Sequence, residues 1–242
     1  MGDSNLRLSF GNVAGTYHRV RPPYSQPLLA RAQAALELEA DARVLDLGAG
    51  TGRLTRELAG RFAHVIAVEP NDPMRALIRD GDVRAGAAES IPLEKASVDA
   101  VFVGEAFHWF DPRAAIPEIA RVLRRRGGLA IIHVHWWETE PPLPEDALEL
   151  LSEPWVRFSA QRNPPWDSAF GRTAFEPLRY ERWEDGIDVD PDELLELYST
   201  TSSMAALPHD ERAALFARVR PLLDRDYWLP IKHELAWTRL AR

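Results

Sequence analysis

Three glycines in five positions, Gly48, Gly50 and Gly52, close the apolar run of "RVLDLGAGTGRLTREL" (43–58) and open an amphipathic helical pattern. Glycine accepts positive backbone angles and leaves no side chain in the way, so a ligand can approach the main chain and the amides that begin the helix. The spacing is GxGxG. A dinucleotide fingerprint, GxGxxG, would need glycine where Arg53 stands, which disfavours a pyrophosphate cradle. Asp46 lies two positions before the first glycine, inside the apolar run, where a carboxylate is costly to bury without a partner; a ligand bearing an amino group is the expected partner. About 20 residues further, "AVEPND" sets Glu69 and Pro70 at the end of a second apolar run, where an acidic side chain can accept both hydroxyls of a ribose.

Other residues could act on a substrate. His108, in "EAFHWFD", follows a fourth apolar run and is the best candidate for a general base, with pocket lining beside Trp109 as its alternative role. His133 and His135 alternate along a fifth run and so share one face, but no third ligand is in register for a metal, and none is expected. Trp136, Trp137, Trp155, Trp166 and Tyr198 would line a pocket or form the core of a cap. Arg19 and Arg21, with Arg157 or Arg162, could hold an acidic acceptor through forked hydrogen bonds.

The elements that must position these groups follow from the apolar pattern. Strand-length runs at 43–48, 64–69, 82–86, 98–104 and 128–136 are separated by helical patterns at 51–62, 72–80 and 111–126, two of which open on Asp-Pro. Strands alternating with helices imply βαβ units and a mainly parallel, doubly wound sheet covered on both faces. After 136 the pattern changes to a stretch rich in tryptophan and proline, read as a helical and aromatic cap inserted over one end of the sheet at about 137–174. Regularity returns with a strand at 175–185, helices at 190–207 and 208–226, and a closing strand in which Ile231, His233, Leu235 and Trp237 alternate with more polar neighbours. An antiparallel last strand is expected. The whole chain, 1–242, reads as one domain, with its core at about 38–136 and 175–242 and an N-terminal lid at about 1–30.

Composition narrows the classes. With 242 residues and 45% hydrophobic content the chain can bury a substantial core, and with no cysteine it has no disulfide, thiolate metal site or cysteine nucleophile. A formal net charge of -8 gives no general footprint for nucleic acid. The basic cluster Arg121, Arg124, Arg125 and Arg126 is placed at the end of the 111–126 helix, where cations complement the dipole. No apolar stretch is long enough to span a bilayer, and a soluble cytoplasmic protein, monomer or loose homodimer, is expected.

A ribose and an ammonium without a diphosphate outline S-adenosyl-L-methionine. Here "VLDLGAGTG", "VIAVEP", "GAAESIPL", "VDAVFVGEAFHWF" and "EIARVLRRRGGLAII", in that order, resemble the class I S-adenosylmethionine-dependent methyltransferases over about residues 10–136. "YHRVRPPY", "AFHWFD" and "ELLELYSTTSS" are similar to the subgroup of trans-aconitate-type and other small-molecule enzymes. The resemblance implies a seven-stranded Rossmann-like sheet and a small-molecule acceptor. It implies that Asp46, Gly48, Ala49, Gly50 and Gly52 surround the methionine part, Glu69 and Pro70 the ribose, and Ala88 and Glu89 the adenine. Glu105 and Ala106 would line the opposite side, and Tyr17 and Arg21 would close over the cofactor. It leaves His108, Trp109, His135, Trp136 and Tyr198 for the acceptor pocket. The chain departs from the subgroup at Pro23, where glycine is commoner, and at "IIHVHWWETE", both near the expected acceptor. An enzyme acting on tRNA or protein, and a non-catalytic cofactor-binding module, remain the alternatives.

Overall fold

β1 (Arg43–Leu47) is the apolar run before the glycines, and it lies between two parallel neighbours, β2 (His64–Val68) and β4 (Val98–Gly104). That central position explains how a charged residue comes to be buried, since Asp46 pairs with Ala67 on one side and Phe102 on the other. The computed structural model describes residues 14–136, 142–158 and 166–241. With β3 (Asp82–Arg84), β5 (Leu123–His135), β6 (Arg179–Val189) and β7 (Tyr227–Arg239) the strands form one seven-stranded sheet in the order β3-β2-β1-β4-β5-β7-β6. The first five strands are parallel where paired, and the last strands are antiparallel, as the sequence implied. Strand order reverses between β1 and β4, the place where such sheets bind ligands beyond their carboxyl ends.

The helices, numbered in chain order, are α1 (Ala14–Val20), α2 (Gln26–Ala35), α3 (Arg53–Ala59), α4 (Asp72–Arg75), α5 (Pro112–Val122), α6 (Glu145–Phe158), α7 (Pro191–Ser199), α8 (Ser202–Ala205) and α9 (His209–Val219). Several begin as their sequences dictate. Asn71 and Asp111 cap α4 and α5 ahead of Pro at the first turns, and Asp190 makes a capping box with Glu193 at α7.

The expected helices are shorter than the pattern suggested, the one expected at 190–207 being split into α7 and α8, and at two of them the cause is visible. The one expected at 72–80 ends at Arg75, because Leu77 and Ile78 turn back to bond Met74 O and Arg75 O and seat Ile78 against the glycine loop. The one expected at 111–126 ends at Val122, because Leu123 already pairs with Val98 as β5 begins. Of the basic cluster only Arg121 lies in the last helical turn, where it grips Glu118 and the carbonyls of Ile91 and Leu93; Arg124, Arg125 and Arg126 belong to β5, and Arg124 donates to both oxygens of Asp99 at 2.9 Å.

Contacts divide the chain into two units. The larger comprises 23–134, 163–183 and 233–242 and contains β1 to β4, the glycine loop and a core that includes Leu45, Val68, Val103, Phe107, Ile119 and Ile131. The smaller comprises 1–22, 135–162 and 184–232 and contains α1 and α6 to α9.

Candidate functional site

In the larger unit the β1–α3 turn is held by its own chain. Gly48, Gly50 and Gly52 have φ of 74°, 58° and 81°, all left-handed, so L side chains are disfavoured at each. A Cβ on Gly48 would lie 2.8 Å from the Cβ of Ala106, and one on Gly52 would lie 2.9 Å from Cγ2 of Ile78. Gly48 N and Ala49 N both donate to Val68 O, and Gly50 N donates to Glu69 Oε2 at 2.8 Å. The other carboxylate oxygen of Glu69, Oε1, accepts from Asn71 N at 2.8 Å. Glu69 is buried, and these two charge-assisted bonds compensate part of its desolvation.

Asp46 is satisfied differently from the expectation. Its Oδ2 accepts the Thr55 hydroxyl at 2.6 Å, and the Thr55 main chain also bonds to it, so the chain itself provides the partner that an amino group was expected to supply. Burial nevertheless pushes its carboxyl up to about 7; the negative charge of Glu69 on the next strand works in the same direction, against the Thr55 bonds. The Thr51 hydroxyl, at the centre of "GAGTG", is buried with no hydrogen-bond partner among the described residues. A cradle that side chains would fill and an unsatisfied buried hydroxyl together fit a polar ligand approaching the turn.

The turns after β3 and β4 complete this end of the sheet. Ala88 is buried, and Glu89 Oε1 accepts Asp111 N at 2.9 Å, tying the two turns together. Pro70, beside Glu69, is exposed. Glu105 directly follows β4 with a left-handed φ of 53°, a conformation costly for a residue with a Cβ. Its Oε1 accepts the Val134 amide and stands 3.8 Å from Nδ1 of buried His133, within ion-pair range and beyond a hydrogen bond. Phe107 is completely buried and packs on Phe110 and Phe170, at centroid distances of 5.4 and 5.7 Å, which anchors the one-turn helix Phe107–Trp109. His108 is thereby presented half-buried, 4.8 Å from the Trp109 ring and 6.4 Å from that of His133.

The remaining candidates belong to the smaller unit. Arg21 directs Nε to the Thr200 hydroxyl and Nη2 to the Thr200 carbonyl, both at 2.8 Å, and its guanidinium lies over the rings of Tyr17 and Trp136. Trp136 meets Tyr198 edge to face at 5.0 Å, and burial pushes the Tyr198 hydroxyl up to about 12. Arg19 pairs with Glu196 at 2.9 Å. The structure thus brings Tyr17, Arg21, Trp136 and Tyr198 together, and His135 falls in the same unit. Trp155 is at the surface of this unit. Trp137, Arg162 and the side chains of Arg157 and Trp166 lie outside the described residues.

Sequence reasoning missed Thr51, Thr55, Asn71 and the Glu105–His133 pair. Thr55 was findable: an ionisable residue in a central strand needs a donor, and the helix after a glycine turn is the nearest source.

Known proteins resemble this chain in sequence and in fold. A family model described as a methyltransferase domain matches residues 45–131. An uncharacterized methyltransferase of Mycobacterium tuberculosis is 36% identical, over 90% of this chain and 87% of its own. A methyltransferase-like protein of Schizosaccharomyces pombe, also uncharacterized, is 30% identical over 87% of this chain and 84% of its own. Among solved structures, a phosphoethanolamine N-methyltransferase of Haemonchus contortus, in complex with phosphomonomethylethanolamine and S-adenosylhomocysteine, shares the fold with a TM-score of 0.58 and 16% identity, covering 96% of this chain and 58% of that one.

Proposed function

The chain belongs to the class I methyltransferases, and on that premise we propose that it is an S-adenosylmethionine-dependent enzyme that methylates a small-molecule acceptor. The observation that carries the reading is the left-handed glycine turn whose Gly50 amide is held by buried Glu69. Bound there, S-adenosylmethionine would supply a methyl group on a positively charged sulfur.

This chain's own residues would do the rest. Glu69, whose carboxylate already orients the Gly50 and Asn71 amides, would accept the ribose hydroxyls. Gly48, Ala49, Gly50 and Gly52 would admit the methionine part, with Thr51 as an additional donor and Asp46 as the buried carboxyl beneath them. Pro70 would border the ribose. Ala88 and Glu89 would flank the adenine, Glu105 and Ala106 would line the opposite side, and Tyr17 and Arg21 are assigned to the cofactor on the resemblance alone. For the acceptor we propose His108 and Trp109; His135, Trp136 and Tyr198 are assigned to it on the resemblance alone. Alignment and exclusion of water would be the main contribution to rate. Among the described residues no helix is long and apolar enough to cross a membrane, and a cytoplasmic, freely diffusing setting is part of the proposal.

The test is calorimetric titration with S-adenosylhomocysteine, with NAD as control. Micromolar binding of the first alone is expected and would open an acceptor screen with labelled methyl donor. Binding of neither would overturn the reading.

A further inference from the structure

The end of β4 and β5 pairs the carboxylate of Glu105, beside the cofactor position proposed above, with a buried imidazole, His133. Glu105 adopts a left-handed backbone at φ 53°, places Oε1 on the Val134 amide, and faces Nδ1 of His133 at 3.8 Å. His133 is buried on β5, and its ring centre lies 6.4 Å from that of His108 on the turn packed against the glycine loop. Glu89 accepts Asp111 N at the far end of the same turn, which ties that turn to the one after β3.

Resting on the methyl-transfer reading, we infer that His108 accepts a proton from the acceptor, that Glu105 and His133 are positioning residues stabilising the resulting imidazolium, and that the acceptor is a protic nucleophile with an O–H or N–H. In the step, the nucleophile's electron pair forms the bond to the methyl carbon and the carbon–sulfur pair passes to sulfur. The proton the acceptor loses goes to a ring nitrogen of His108. A carboxylate acceptor fits poorly: it is already ionised and needs no base, and the charge nearest to His133 behind this turn is the carboxylate of Glu105. Two of the four arginines considered as clamps, Arg19 and Arg21, are engaged by Glu196 and Thr200.

Side-chain NMR of histidine-labelled protein reads the coupling without any acceptor. The titration midpoint of His108 is compared in the wild type and in Glu105→Gln, which preserves an oxygen for Val134 N but removes the charge. The expected result is a midpoint lower by about half a unit in the variant. An unchanged midpoint in folded Glu105→Gln overturns the inference; if that variant does not fold, His133→Asn is read by the same criterion, any displacement of the His108 midpoint supporting the coupling and none overturning it. Wild-type titration with S-adenosylhomocysteine is run alongside. Binding with an uncoupled His108 sinks the relay alone, whereas no binding sinks the methyl-transfer reading itself.

Discussion

The glycine-loop end of the larger unit and the arginine–aromatic cluster of the smaller one solve the same problem, placing charge inside a fold, by opposite means. At the loop, the partners are close in the chain: Glu69 reaches Gly50 and Asn71, and Asp46 reaches Thr55 nine residues on. In the cluster, Arg21 finds Thr200 at a separation of 179 residues and spreads its charge over Tyr17 and Trp136. Local bonds fix a shape that any neighbouring sequence must respect. Long-range bonds fix an association between segments and can be lost without altering either segment.

The largest break in that contrast comes at Gly48. Gly48→Val puts a β-branched side chain at φ 74° with its Cβ at 2.8 Å from Ala106, and we expect loss of S-adenosylhomocysteine binding together with destabilisation of roughly 2–4 kcal/mol, read by calorimetry and denaturant unfolding. Next is Asp46. Its folded value of about 7 exceeds the ordinary 3.8, so the stability it contributes is complete below about pH 4 and is lost as pH rises through 7. Asp46→Asn, neutral throughout, should gain on wild type by on the order of 4 kcal/mol across that window. Urea midpoints measured near both ends check the sign, and a parallel pH dependence of the two proteins would refute it.

Smaller effects separate the regions further. Glu69→Gln places an amide N–H where one oxygen accepts a main-chain amide, and should weaken cofactor binding by about 1–3 kcal/mol with an unchanged fold by circular dichroism. Arg21→Lys loses the fork on Thr200 and should lower thermal stability by about 1 kcal/mol, seen as an earlier melt. An Arg21→Lys protein melting like wild type would mean that the cluster is decorative.

The same contrast explains what could be read in the sequence. The strands, the glycine turn and the buried acids were legible because each signal sits within a few consecutive residues: "VLDLGAGTG" encodes both the strand and the turn that ends it. Helix lengths were less so. Val122 ends α5 because the next residue pairs with Val98, a partner 25 positions earlier that helical periodicity does not register. Arg124 was read as a dipole-complementing cation, yet its place is set by Asp99 across the sheet. His108 was found by its position after a strand, whereas the carboxylate behind His133 required knowing that Glu105 turns through a left-handed angle, which favours glycine and which nothing in "VGEAFHWF" announces.

The glycine turn has a kinetic consequence. Its amides are oriented by Val68 O and the Glu69 carboxylate, which belong to the chain itself, so the turn's shape does not wait on an incoming molecule. Encounter and capture should then merge: stopped-flow mixing with S-adenosylhomocysteine would give a single exponential whose rate rises linearly with concentration, with affinity differences among turn variants appearing in the dissociation rate.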